Sequence, residues 1–126
     1  WIKGTYGELN LDFLHEMPTD EAFETFTQLK GVGLKTMAVV LMFACGRDVF
    51  PVDTHVHRIC RRLGLVPENA DAVKTFRLMA PLVPDGKGYS LHMNLLTFGR
   101  TICTARSPKC PTCPLNDICP WDGKIE

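Results

Sequence analysis

The C-terminal segment limits what this chain can fold into more than any other feature. Cys103, Cys110, Cys113 and Cys119 are spaced Cys-x6-Cys-x2-Cys-x5-Cys, and the last 24 residues also hold four prolines and little apolar periodicity. Such a segment cannot bury enough surface to hold itself together, so something must staple it. The N-terminus, Trp1-Ile2-Lys3-Gly4, lacks the basic and then apolar pattern of a secretory signal. A reducing compartment is therefore expected, with metal ligation favoured over disulfides. Four thiolates in one loop suit zinc or an iron–sulfur cluster. Zinc sites usually use two close Cys pairs, and here only Cys110 and Cys113 make one. The wide outer gaps suit a cubane, whose irons each take one cysteine at a different corner. The spacing differs from those of ferredoxins. Cys45 and Cys60 sit in apolar, helix-like stretches and read as small core residues.

The rest of the chain reads as all-helical: nothing alternates with period two and nothing repeats. A short helix is expected at 9–15. A second runs over 19–29, with Thr19 as its cap and acids in its first turn. Lys30-Gly31-Val32-Gly33 is a tight turn. A third helix covers 34–45 and ends at Gly46; its stretch Met37 to Ala44 is apolar all round, which predicts burial on every side. Pro51 keeps the segment before it extended. Asp53 is placed to cap a fourth helix, 54–63, in which Val56, Ile59, Cys60 and Leu63 form a core stripe and Gly64 follows as C′. His55, Arg58, Arg61 and Arg62 lie off that stripe. A fifth helix is expected at 71–82, and a sixth at 89–102 leads into the cysteines. No apolar run is long enough to span a bilayer.

Net charge is zero, but its distribution is uneven. Residues 1–28 carry one Lys against six acids; residues 29–62 carry six bases against Asp48 and Asp53. Three bases and no acid lie between Arg100 and Cys110. Basic patches on a neutral chain suit local phosphate contact, or form a solvated face. Glycines between two helices let a backbone turn sharply and approach a phosphate, and the next helix offers it free N–H groups and a positive dipole. Lys35 falls in that helix's first turn. The dipole, together with partial desolvation by the apolar helix that follows, favours its neutral, nucleophilic amine. Exposure and simple phosphate contact are the alternatives. His55 and His57, at i and i+2, do not share a helix face, so they do not read as a metal pair. His55 reads as lining a site, and His57 as structural or exposed.

Taken together, these motifs resemble the endonuclease III family of DNA glycosylases. Its cluster signature has the spacing of Cys103, Cys110, Cys113 and Cys119. There the cluster follows a helix-hairpin-helix, matched by Leu29-Lys30-Gly31-Val32-Gly33, and a Val-Asp-Thr-His segment, matched by Val52-Asp53-Thr54-His55. The resemblance implies an all-α chain: part of the helix-hairpin-helix DNA glycosylase fold with a C-terminal [4Fe–4S] cluster loop. Residues 1–47 would be the rear of the six-helix domain, hairpin included, and 48–126 the cluster domain. Family members have a substantial region before the hairpin, so this chain resembles their C-terminal portion. Lys30 departs from the Pro that many members carry.

By the same resemblance, Lys35 occupies the position of the catalytic lysine of bifunctional members, and Asp53, 18 residues later, that of the catalytic aspartate. The implied function is base excision repair on double-stranded DNA carrying a damaged base or abasic site. The lysine would displace the base, oxidised pyrimidine by default, through a Schiff base, and β-elimination would cut the strand 3′ to the lesion. Lys30, Gly31, Val32, Gly33, Thr36, His55, Arg106 and Lys109 would contact DNA. The cluster, ligated by all four cysteines, would be structural and would hold the loop that presents Arg106 and Lys109. A monomer without membrane association, cytoplasmic and associated with the nucleoid, is expected. The rivals are a DNA-binding module without activity and a glycosylase for a mispaired or methylated base; Lys35 argues against an adenine glycosylase.

Overall fold

The computed structural model describes residues 17–124, and the helix expected at 9–15 lies outside them. Among the described residues there are five α-helices, one 3-10 turn and no strand. The chain divides into two compact units, one ending at Arg47 and the other beginning at Asp48.

In the first unit, α1 (Thr19–Phe26) packs against α2 (Leu34–Phe43). Thr19 was expected to cap α1, but Pro18 takes the N-cap position and Thr19 is the first helical residue. The Thr19 hydroxyl instead accepts a 2.7 Å hydrogen bond from Arg47 Nη1, which ties the unit's last residue to its first described helix. Asp20 and Glu21 complement the positive end of α1. The burial expected on every side of α2 is not found: Met37, Ala38, Leu41 and Met42 are buried, whereas Phe43 is 54% exposed. Among the described residues of its unit, α2 packs against α1, which covers one face however apolar the others are. The helix also stops two residues short of the expected end, with Ala44 as its C-cap.

The second unit is built around α3 (Thr54–Arg62), which packs against α4 (Ala72–Met79) and α5 (Gly88–Thr101). Asp53 caps α3 as expected, its carboxylate accepting from the Val56 N–H at 2.8 Å. Asp71 caps α4 in the same way from Lys74 at 2.7 Å. At the other end of α3, Gly64 is C′: its N–H donates to Arg61 and that of Leu65 to Cys60, the paired bonds that close a helix C-terminus. Val56, Ile59 and Cys60 are fully buried among Phe50, Val52, Val66, Ala70, Met79 and Leu95. Burying Val56 or Ile59 stabilises the unit by about 1.5–3 kcal/mol each. α3 and α5 approach tightly at Gly99, where a Cβ would lie 2.8 Å from the His55 Cβ, so no larger residue fits unless the helices part.

Candidate nucleic-acid interface and metal centre

The hairpin belongs to the first unit. The Val32 N–H donates to Leu29 at 3.1 Å across Lys30 and Gly31. Gly31 has φ +86°, which makes this a type II turn. Gly33 then caps α2 without any side-chain hydrogen bond, and the first turn of α2 contains no acid. The contrast with α1 is direct: there two carboxylates sit at the positive end. The opening N–H groups and dipole of α2 therefore remain available to an anion. Lys30, Gly31, Gly33, Lys35 and Thr36 are exposed, and Val32 is half-buried. The partial desolvation expected for Lys35 is absent within its unit, because the buried face of α2 begins at Met37.

In the second unit, Phe50, Pro51 and Val52 are buried and lead to half-buried Asp53 at the head of α3. His55 Nδ1 accepts a 3.0 Å hydrogen bond from Arg58 Nη2, so the neutral ring carries its proton on Nε2. His57 is structural, with Nε2 2.7 Å from the Ala70 carbonyl. Cys60, buried as expected, has its thiol pushed up to about 11 by desolvation.

The four C-terminal cysteines line a single small pocket, walled by apolar groups that include Leu63, Phe98, Ile102, Pro108 and Leu115. Among the described residues, no three His, Cys, Asp or Glu side chains meet where one ion would sit. Thiols spread around a cavity fit a cofactor with several metal atoms better than a single zinc. Donors already face two of the sulfurs: Arg62 Nη1 lies 3.3 Å from Cys103 Sγ, and the Leu115 N–H lies 3.4 Å from Cys113 Sγ. Such bonds suit thiolates. The loop between the first two cysteines is closed by the Lys109 N–H donating to Ile102 at 2.8 Å. Arg106 and Lys109 stand exposed on it.

Two side chains that hold this loop were not legible in the sequence. Arg58 and Arg62 looked like members of a solvated basic face, yet both turn inward. Arg58 donates to the carbonyls of Gly99 and Cys103, and Arg62 to those of Thr104 and Ala105. The Arg62 guanidinium also lies 4.0 Å from the centre of the Trp121 ring, beyond the last cysteine. Burial and then the neighbouring Arg62 charge lower the pKa of Arg58, while Cys103 and Asp53 act in the opposite direction. Their position off the core stripe was visible, but partners some 40 residues away follow from the fold and not from local spacing.

A helix-hairpin-helix, an all-α arrangement and a four-cysteine loop define the fold class, the helix-hairpin-helix glycosylase fold with an iron–sulfur loop. Comparison with known proteins agrees. Residues 103–119, from the first cysteine of the motif to the last, match the iron–sulfur binding domain of endonuclease III. Endonuclease III of Haemophilus influenzae is 36% identical over 112 residues, covering 89% of this chain and 53% of that protein. The DNA glycosylase/AP lyase ROS1 of Arabidopsis thaliana is 33% identical over 135 residues, covering 94% of this chain and 10% of that one. A solved structure of a trapped endonuclease III–DNA covalent intermediate superposes with a TM-score of 0.73 at 34% identity, covering 86% of this chain and 50% of that one. The chain is thus similar to endonuclease III over most of its own length, and it spans about half the length of the bacterial relative. Its cofactor is an iron–sulfur cluster of the [4Fe–4S] type.

Proposed function

We propose that this protein is a bifunctional DNA glycosylase/AP lyase of base excision repair, acting on double-stranded DNA with a damaged base or abasic site. The observation that carries the reading is Lys35, in the first turn of a helix that follows the hairpin and has no acidic or side-chain cap. The likeness to a relative trapped covalently on DNA supports a covalent route.

The target nucleotide is extruded from the duplex. The Lys35 amine attacks C1′ of the deoxyribose, the glycosidic C–N bond breaks and the base departs. Asp53 takes part in removing the lysine proton and stabilises positive charge on the sugar. The sugar ring then opens at C1′–O4′, the ring oxygen taking a proton, to give the Schiff base; this acidifies the C2′ hydrogen, whose loss expels the 3′ phosphate oxygen and cuts the strand. Lys30, Gly31, Val32, Gly33 and Thr36 bind backbone phosphate, His55 faces the DNA, and Arg106 and Lys109 hold phosphates further along. Cys103, Cys110, Cys113 and Cys119 ligate the cluster, which when bound supplies a fixed loop shape and no step of the reaction. Oxidised pyrimidines are the proposed substrates. The protein acts as a monomer in a reducing, DNA-containing compartment, the cytoplasm with its nucleoid.

Borohydride reduction on an abasic-site duplex tests the reading. A covalent adduct from the cluster-loaded full-length protein is expected, and none from Lys35→Ala. An intact, loaded protein that binds the duplex and gives no adduct would be a DNA-binding module in which the exposed Lys35 contacts phosphate. A protein that leaves thymine-glycol duplex uncut while cutting a mispaired or methylated base would overturn the substrate assignment.

A further inference from the structure

His92, on α5, is buried at 4% exposure and belongs to none of the groups described so far. Its Nδ1 lies 2.9 Å from the carbonyl oxygen of Pro51. Its ring meets Phe50 edge-on, with centroids 6.4 Å apart and planes at 84°. A carbonyl can only accept, so Nδ1 carries the proton and the tautomer is fixed. The residues around that carbonyl, 49–53, belong to no helix or strand. A buried backbone acceptor in such a stretch needs a partner from elsewhere in the fold, and here a side chain supplies it. Two residues further on, Asp53 is tied to α3 through the Val56 N–H. The short arm Pro51–Asp53 is therefore pinned at one end by α5 and at the other by α3.

We infer that His92 is a positioning residue for Asp53. Its Nδ1–H sets where the Pro51 carbonyl lies, and so where the Asp53 carboxylate stands toward the sugar. The inference rests on the reading of Asp53 given above. Without the donor, the buried carbonyl seeks another partner and the arm shifts. A displacement of about 1 Å at a reacting group can cost on the order of 100-fold in rate. Affinity for DNA is expected to change little, since the phosphate contacts proposed above lie outside that arm and His55 stands on α3.

The test uses cluster-loaded full-length protein carrying His92→Leu, which removes the donor, or His92→Gln, which retains one. Single-turnover base removal is measured beside affinity for a duplex containing a tetrahydrofuran abasic analogue. His92→Leu is expected to slow base removal by roughly 10- to 100-fold. Its analogue affinity should stay within about twofold of wild type, a rate loss without a binding loss, and His92→Gln should recover most of the rate. Equal slowing in both variants, or matched losses of rate and affinity, would overturn the positioning role. Nitrogen NMR of the wild-type histidines tests the contact without any need for activity. A proton on His92 Nδ1 is expected; a neutral ring protonated on Nε2 would refute the contact. A wild type with the expected tautomer but no base removal would locate the failure in the proposed function, and the role of His92 would fall with it.

Discussion

The hairpin and the cysteine loop are both proposed to meet DNA, and they are built in opposite ways. The hairpin takes its shape from the backbone: a positive φ at Gly31, one turn hydrogen bond and an uncapped helix start. The cysteine loop contains only two buried residues between 103 and 119, Pro108 and Cys110. Its shape comes from Arg58 and Arg62, which reach from α3 to carbonyls at the end of α5 and on the loop, and, in the reading proposed above, from a cofactor on four thiolates. One device is local and requires nothing from outside the chain. The other is long-range and is proposed to depend on a ligand. Chemistry is assigned to neither loop as such, but to Lys35 and Asp53 on helix starts.

That division can be attacked at several points. The largest effect is expected from Asp53→Asn. Asn caps a helix about as well as Asp, so α3 should stay intact. Single-turnover base removal should nevertheless fall on the order of 100-fold or more, the scale of a lost acid–base group. A fall in thermal stability that matches the lost activity would mean that Asp53 is only a cap. Arg62→Met comes next. It removes the donors to Thr104 and Ala105 and the stack on Trp121, and should cost the second unit about 2 kcal/mol in chemical denaturation. No change would mean that the cluster alone holds the loop.

Gly31→Ala should be milder. A Cβ there meets nothing within 4 Å, so the cost is conformational, about 1–2 kcal/mol for a left-handed alanine. Weaker binding to abasic-analogue duplex with iron content unchanged is the expected result; loss of iron would contradict the independence of the two devices. The smallest effect concerns Cys60. Its pKa rises from 9.0 to about 11 on folding, so between these values the folded state holds the proton more tightly than the unfolded one. This contribution to stability is complete below pH 9 and is lost as pH rises toward 11. Denaturation across that range, compared with Cys60→Ala, measures it.

The sequence was most readable where structure is local. Asp53, Gly64 and the stripe Val56, Ile59, Cys60 were found by spacing alone, because caps and helix faces are set within a turn or two. Thr19 was misplaced by one residue because Pro18 also satisfies a helix start. The exposed faces of α2 went unseen because apolar composition does not reveal how many partners a helix has. Arg58, Arg62 and His92 were invisible as scaffold for the same physical reason. Their partners, the carbonyls of Pro51, Gly99, Cys103 and Thr104, lie about 40 residues away in sequence. The four cysteines could be read as a metal site from spacing, but their convergence on one cavity had to come from the fold.

Amide hydrogen exchange on cluster-loaded protein and on Cys113→Ser tests the contrast between the two devices most directly. Loss of the cluster should strip protection from residues 103–119 and leave the Val32 amide of the hairpin turn as slow as before. Continued protection of 103–119 without the cluster, or loss of the hairpin's protection along with it, would contradict the account.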